Sequence, residues 1–199
     1  ADLLANMSFD EQIVIETLCS LAANKASGPD GLSPKVLIET TSVIGKPLSM
    51  IFTESFSSGI VPKDWRLANV TPIFKKGSKS SPSNYRPVSL TSCVRKVMER
   101  ILKDRLLSHL REHHLINDSQ HGFLPHRSCL TNLLNFLNYV HSNVDKGKDI
   151  DAVNLDFQKA FDKVPHKRLL VKLRGYKLGD NIICWIEGWL SNRHHYHSR

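Results

Sequence analysis

The ten residues from Leu155 to Val164, LDFQKAFDKV, constrain the fold most, because they place a carboxylate directly after an apolar run. The segment from Ile150 to Phe157 has the composition of a buried strand. Alternate residues of a strand share a face, so Asn154 and Asp156 would point the same way, with small Ala152 leaving room beside the carboxylate. An unpaired buried charge costs several kcal/mol. Asp156 therefore needs a partner.

Two interpretations of this carboxylate remain open. A divalent metal ion would satisfy Asp156, and phosphoryl transfer by two metal ions uses carboxylates held at rigid strand ends. Alternatively, Asp156 or Asp162 caps a helix that follows the strand. The residues of this stretch do not decide between a metal ligand and a helix cap.

Helices dominate the rest of the pattern. Ser8 to Glu11 resembles a capping box and predicts a helix to about Ala23. Ser33-Pro34 opens a second helix, which we expect Gly45-Lys46-Pro47 to break, and a third helix ends at Gly59. Further helices are predicted at about residues 94–110, 128–147, 166–174 and 181–190.

Two extended segments predict a hairpin with a long loop. The first runs from Arg66 to Phe74 and the second from Tyr85 to Leu90, with a polar loop between them. Pro72 makes the first segment an edge strand or the frayed end of one. Many helices with a few paired strands indicate the α+β class.

Positive charge is concentrated around this hairpin. The net charge of the chain is +8, which favours a polyanionic partner, either nucleic acid or an acidic membrane. No Asp or Glu occurs from Trp65 to Met98. The cations in that stretch are Arg66, Lys75, Lys76, Lys79, Arg86, Arg95 and Lys96. They predict a phosphate clamp, although lysines also keep an edge hairpin soluble. The absence of acids favours phosphate binding.

Cysteine, histidine and terminal residues add weaker constraints. The cysteines form no CxxC pair, so we expect reduced, buried thiols in a cell interior rather than structural zinc. The histidines near positions 109–114 and 194–197 are expected on solvated helix faces.

No apolar run is long enough for a transmembrane helix, and no signal peptide is recognised. The chain begins without Met, so we expect a piece of a longer protein.

Five sequence blocks, taken in order, resemble the reverse transcriptase of non-LTR (LINE-type, jockey-like) retrotransposons. They cover nearly the whole chain, and their order and spacing make the resemblance specific. The blocks are Asn24–Gly31, Pro72–Gly77 with Asn84–Leu90, Gln120–Phe123 with Arg127–Ser128, Leu155–Val164, and Trp185–Ile186 with Trp189–Arg193.

The resemblance implies a right-hand polymerase fold with fingers and part of a palm. Residues 1–60 would be a helical N-terminal extension, residues 61–149 the fingers, and residues 150–199 the start of the palm. The implied activity is RNA-directed DNA polymerisation on an RNA template with a DNA primer and dNTPs, using two Mg²⁺ (or Mn²⁺) ions. The family implies action in the nucleus and no membrane, and it leaves the oligomeric state open.

The resemblance also implies roles for single residues. Asp156 resembles the first metal-binding aspartate of the palm, with the Phe157 carbonyl as an additional ligand. Phe161 resembles the steric gate that excludes a 2′-hydroxyl. The resemblance implies that Lys75, Lys76 and Arg86 bind the triphosphate. It implies nucleic-acid binding by Arg66, Lys79, Arg95, Lys96 and Arg127.

The chain departs from the family pattern in two respects. Leu124 stands where the family usually has Arg, and His126 where it usually has Gly, which would weaken phosphate contacts. The second catalytic box, an aromatic-Ala-Asp-Asp turn, does not occur in these 199 residues. We therefore expect this chain alone to be inactive. A non-catalytic nucleic-acid-binding remnant and a pseudogene product remain alternatives.

Overall fold

The structure, a computed structural model, describes residues 7–157, 159–191 and 194–197, the last four by their backbone only. The chain divides into a first unit, Ala1–His109 with Pro165–Arg199, and a second unit, Leu110–Val164. The helices are α1 (Glu11–Cys19), α2 (Pro34–Glu39), α3 (Thr41–Ser58), α4 (Cys93–Glu112), α5 (Cys129–Val144), α6 (His166–Gly175) and α7 (Asp180–Leu190). The strands are β1 (Leu67–Phe74), β2 (Tyr85–Thr91) and β3 (His194–His197). The predicted helix-rich α+β class is confirmed.

The first helix begins later and ends earlier than predicted. Asp10, not Ser8, is the N-cap, and its carboxylate accepts the Gln12 N–H at 2.8 Å. The buried Phe9 ring fixes the chain just before this position, which leaves Asp10 to cap. The helix ends at Cys19, so the predicted extension to Ala23 is wrong.

The predicted break at Gly45-Lys46-Pro47 is also wrong, because these residues lie inside α3. The break falls at Thr40, between α2 and α3. A Cβ on Gly45 would lie 2.7 Å from Ile15 of α1, so this segment of α3 packs closely against α1. The predicted helix end is confirmed, since Gly59 adopts a left-handed φ of 68° after Ser58.

The predicted hairpin is confirmed as the antiparallel pair of β1 and β2, in register from Ala68↔Thr91 to Phe74↔Tyr85. The sheet order is β2-β1-β3, and β3 pairs in parallel with Leu67–Val70. Residues Leu67–Val70 therefore do not lie at the edge of the sheet, and the edge-strand prediction is wrong for them. Pro72 lies beyond the part of β1 that pairs with β3. The histidines of β3 lie in a strand, not on the helix face that was expected.

The hydrophobic core lies in the first unit and draws on both of its sequence segments. The fully buried Phe52 ring meets the rings of Phe9 and Trp65 edge to face, at centroid distances of 5.8 and 5.7 Å. Helix α7 joins this core through Trp185, whose Nε1–H donates to Ser55 Oγ at 3.1 Å. Leu170, Leu178, Ile182 and Ile183 belong to the same buried cluster.

The second unit has no buried residue among those described from Leu110 to Val164. Ser128 caps α5 with a capping box to Thr131, which confirms the predicted start of that helix. The buried strand predicted for residues 150–157 is wrong, because the segment forms no strand and Leu155 is 80% exposed. A strand needs a neighbour for its backbone hydrogen bonds, and the described residues of this unit contain none.

The thiols are free, but most are not buried. Cys93 is buried, whereas Cys19, Cys129 and Cys184 are exposed, so the predicted burial is wrong for those three. Burial raises the pKa of the Cys93 thiol, against a smaller opposing effect of the Lys96 cation.

His109 is buried with Nε2 3.2 Å from the Tyr176 carbonyl oxygen, which corrects its expected place on a solvated face. No helix in the described part of the chain is long and apolar enough to span a membrane.

Candidate functional site

The hairpin of β1 and β2 presents the cations predicted to bind phosphate. Lys75, Lys76, Lys79 and Arg86 are all exposed. Within the part of the chain that the structure describes, none of the four forms an ion pair. Four unneutralised cations on one hairpin make a surface that attracts a polyanion. We call these four residues the hairpin cations.

Hydrogen bonds hold the loop of the hairpin in one conformation. The Lys75 N–H donates to the Asn84 carbonyl at 2.8 Å, and the Tyr85 hydroxyl donates to the Lys79 carbonyl at 2.8 Å. Gly77 adopts a φ of 91°, which favours glycine, and a Cβ there would lie 2.7 Å from Asn84 Nδ2. The loop backbone that carries Lys75, Gly77 and Lys79 is therefore fixed before any ligand binds.

Arg95 has a different place from the one predicted. Its side chain is buried, its Nη1 donates to the Trp65 carbonyl at 2.6 Å, and its Nε donates to the Glu99 carboxylate. The guanidinium carbon lies 5.2 Å from the centre of the Trp189 ring. These contacts occupy Arg95 within the first unit, so we withdraw it from the nucleic-acid-binding set.

Arg66 and Lys96 are intermediate cases. Both side chains are half-buried, and the buried Nε of Arg66 has no acceptor among the described residues. They lie at the root of the hairpin, directly before β1 and within α4. The hairpin cations are therefore the more accessible part of the predicted cationic stretch.

The predicted catalytic motif lies in the second unit and is open to solvent. Asp156 is exposed, and Phe157 and Phe161 are 76% and 77% exposed. The Phe161 ring meets the Phe123 ring edge to face, with the centroids 5.8 Å apart. The structure thus brings the predicted catalytic motif into contact with the Gln120–Phe123 block. Gln158 of the motif lies outside the described residues, as do Asn192 and Arg193 of the last block.

Arg127 lines a small cavity within the second unit. Its Nη1 donates to the Asp118 carbonyl, and the cavity, of about 180 Å³, is also lined by Arg111 and His114. Leu124 lines the same cavity. Leu124, where the resemblance predicts an arginine, therefore places an apolar side chain in the same cavity as Arg127.

His126, the second departure from the family pattern, has a strained backbone conformation. His126 adopts a φ of 62°, in the left-handed region that glycine tolerates best. A side chain in that region costs roughly 1–2 kcal/mol. The glycine that the resemblance predicts at this position would fit the backbone that the structure shows, and His126 is strained there.

The residues described do not fit a site for two metal ions. Asp156 and the Phe157 carbonyl would supply one carboxylate and one neutral oxygen. Across residues 7–157, 159–191 and 194–197, no group of three or more His, Cys, Asp or Glu could hold a metal ion. The expected Mg²⁺ or Mn²⁺ would need further carboxylates beside Asp156.

A second cationic surface, on α6, is not among the predicted sites. The sequence signal for it is present, since no Asp or Glu occurs from Lys163 to Gly179. None of the matched sequence blocks covers that helix. Its cations are Lys167, Arg168, Lys172 and Arg174.

Comparison with known proteins identifies the family. Residues 73–199 match the reverse transcriptase (RNA-dependent DNA polymerase) family. The probable RNA-directed DNA polymerase from transposon BS of Drosophila melanogaster is 29% identical over 81% of this chain and 18% of its own length. The Pol polyprotein from the type-1 retrotransposable element R2 of Popillia japonica is 29% identical over 89% of this chain and 24% of its own length.

The RNA-directed DNA polymerase from mobile element jockey of Drosophila melanogaster is 29% identical over 79% of this chain and 17% of its own length. The chain thus spans between 17% and 24% of these three relatives. The matched residues include the β1–β2 hairpin loop, the Gln120–Phe123 block and the LDFQKAFDKV motif. The family predicted from the motifs is confirmed, and the chain belongs to the reverse transcriptase (RNA-dependent DNA polymerase) family.

Proposed function

We propose that this chain is part of a retrotransposon RNA-directed DNA polymerase and carries its fingers and the first part of its palm. The observation that carries the proposal is the family match over residues 73–199, which includes both the hairpin and the Asp156 motif. The domain boundaries at residues 60 and 149 belong to this proposal. Action in the nucleus is likewise inferred from the family alone.

The proposed reaction is nucleotidyl transfer. The 3′-hydroxyl of a DNA primer attacks the α-phosphate of a dNTP, a new phosphodiester bond forms, and pyrophosphate leaves with the electron pair of the broken bond. An RNA template selects the dNTP. Catalysis of this kind depends on positioning and on electrostatic stabilisation of the phosphates.

We assign the triphosphate to Lys75, Lys76 and Arg86. Their exposure and their lack of ion pairs among the described residues support this role. The hydrogen-bonded loop backbone supports it too, because a backbone that is already held loses less freedom when phosphate binds. Lys79 and Arg127 are assigned to the nucleic-acid backbone.

We assign sugar selection to Phe161 and a metal-ligand role to Asp156. The Phe161 ring is exposed and is steadied by its edge-to-face contact with Phe123, so it can lie under an incoming sugar. Asp156 is exposed as well. It would be one ligand of a divalent ion, and the remaining carboxylates would come from the family's aromatic-Ala-Asp-Asp box.

Primer extension tests the proposal. The 199-residue chain and a fusion that adds an aromatic-Ala-Asp-Asp palm segment are each given an RNA template, an annealed DNA primer and Mg²⁺. We expect extension by the fusion alone, with dNTPs strongly preferred over rNTPs. Phe161→Ala in the fusion should erase most of that preference, because the 2′-hydroxyl would meet no ring. A folded fusion that extends no primer would overturn the proposal.

The hairpin cations provide a separate prediction. In the active fusion, K75Q/K76Q/R86Q should raise the KM for dNTP by roughly tenfold or more, since the loss of even one charge-assisted phosphate contact of about 1.5 kcal/mol accounts for a tenfold change. Exposed Lys25, Lys35 and Lys63 provide the control, as K25Q/K35Q/K63Q removes the same charge elsewhere in the first unit. An equal rise in KM in both variants would show a general charge effect and contradict the assignment.

A non-catalytic nucleic-acid-binding role is the second candidate function. The lack of a metal-holding cluster among the described residues favours it for this chain alone. It predicts salt-dependent RNA binding by the chain with no extension by any fusion. The primer-extension experiment therefore separates the two candidates.

A further inference from the structure

Helix α6 carries a fixed set of unpaired cations in the first unit. Lys167, Arg168, Lys172 and Arg174 are all exposed. None of them forms an ion pair with any residue that the structure describes. No acidic residue lies on the helix or nearby in sequence from Lys163 to Gly179. Solvated helix faces usually mix both signs of charge, so a face of one sign calls for an explanation.

The opposite face of α6 is anchored in the core. Leu170 is buried, and Leu173 and Tyr176 pack against the core cluster. At 3.6 residues per turn, the cations lie on the two flanks of the outward face. Lys167 and Arg174 are about 10 Å apart along one flank, and Arg168 and Lys172 are about 6 Å apart along the other, at ~1.5 Å rise per residue. The backbone positions of these charges are therefore fixed.

The chemistry of the face narrows the choice of polyanion. A helix that lies on a membrane inserts an apolar face, but the apolar face of α6 is already in the core, and outward Val171 is its single apolar residue with high exposure. Proteins that bind single strands stack bases on aromatic side chains. The outward face has none, because half-buried Tyr176 lies against the core with Lys172 Nζ 5.7 Å from its ring centre.

We propose that the outward face of α6 binds the phosphate backbone of double-stranded nucleic acid. A duplex hides its bases and presents regularly spaced phosphates, which suits cations carried at fixed backbone positions without aromatic side chains. The four cations contact phosphates on the outside of the duplex and carry no sequence preference. This interface is separate from the hairpin cations, and it requires no polymerisation.

The test is a binding measurement with the full chain and a labelled RNA–DNA duplex of about 20 base pairs, by fluorescence anisotropy from about 50 to about 200 mM KCl. The variant is K167Q/R168Q/K172Q/R174Q. The control, K25Q/K35Q/K63Q/R105Q, removes four exposed cations at scattered positions of the same unit. We expect the α6 variant to lower affinity at the lowest salt by about tenfold or more and to reduce the slope of log affinity against log salt by about 3–4. The scattered control should change the affinity and the salt slope much less.

Two further sets of variants guard against a folding defect. The pairs K167Q/R174Q and R168Q/K172Q should each reduce the slope by about 2. The charge-preserving variant K167R/R168K/K172R/R174K should bind as the unmodified chain does. Far-ultraviolet circular dichroism of each variant checks that the helices remain folded.

Three results would overturn the proposal. The first is equal weakening by the α6 variant and the scattered control, which would show that only net charge matters. The second is binding of single-stranded RNA of the same length with the same affinity and the same dependence on α6. The third is α6-dependent binding to vesicles rich in acidic lipid in place of duplex. Because no result depends on primer extension, failure of this proposal is distinguishable from failure of the polymerase proposal.

Discussion

Replacing Asp156 by Asn is expected to lower the rate of primer extension by the active fusion by about 10³-fold or more. A metal ligand acts on transition-state charge worth several kcal/mol, and about 4 kcal/mol corresponds to that factor. Thermal unfolding should stay unchanged, because Asp156 is exposed and surface substitutions usually alter stability by less than about 0.5 kcal/mol. Steady-state extension rates and a melting curve on the same preparation measure both effects.

Asp151 provides the matched control for this experiment. It is an exposed aspartate in the same segment, five residues before Asp156, and it belongs to none of the matched blocks. Asp151→Asn should leave extension within about twofold of the unmodified fusion. Extension that survives Asp156→Asn would remove the metal-ligand role from this residue, whatever else the fusion does.

Replacing Arg95 by Met is expected to destabilise the chain by about 3 kcal/mol. The change removes the hydrogen bond to the Trp65 carbonyl, the contact with the Trp189 ring and the ion pair with Glu99. The side chains of this ion pair are 7% exposed for Arg95 and 27% exposed for Glu99. Removing one member of a buried ion pair typically costs about 3–5 kcal/mol, because the other charge loses its partner. Urea unfolding measures the free energy of unfolding.

A double variant separates the buried charge from the lost packing. Arg95→Met combined with Glu99→Leu should cost less than the sum of the two single changes, since no unpaired carboxylate then remains. Nucleic-acid affinity per folded molecule should not change in Arg95→Met. A stability loss below about 0.5 kcal/mol, or a selective loss of affinity, would return Arg95 to the binding surface where the sequence first placed it.

Local patterns predicted the elements that depend on local interactions. The Tyr85–Leu90 return strand follows from the apolar and polar alternation of neighbouring residues, and its pairing with β1 is confirmed. The Ser128 cap needs only Thr131, three residues away, and it too is confirmed. Gly59 ends α3 for an equally local reason, since its φ of 68° suits glycine.

Elements that depend on residues distant in sequence could not be predicted from local patterns. The Ile150–Phe157 segment has the composition of a strand, but a strand exists only beside a partner, and the described part of the second unit offers none. Pro47 lies inside α3, in a segment where Gly45 packs closely against Ile15 of another helix. Sequence spacing does not report that contact.

The candidate site shows the same limit. Lys75 and Lys76 lie in a polar loop, where exposure follows from composition, and the structure places both at the surface. Arg95 belongs to the same acid-free stretch but is buried, because the Trp65 carbonyl, 30 residues earlier, accepts its hydrogen bond. A count of charges cannot distinguish a cation offered to solvent from one enclosed by the fold.

The core of the first unit is closed by residues from both ends of the sequence, and this has a consequence for synthesis. Ser55 and Trp185 are hydrogen-bonded across 130 residues, which a ribosome adds in roughly 10 s at ~5–20 residues per second. During that interval α3 has left the ribosome but has no α7 to pack against it. The nascent chain therefore exposes apolar surface for seconds, and we expect its yield in cells to depend on chaperones that bind such surfaces.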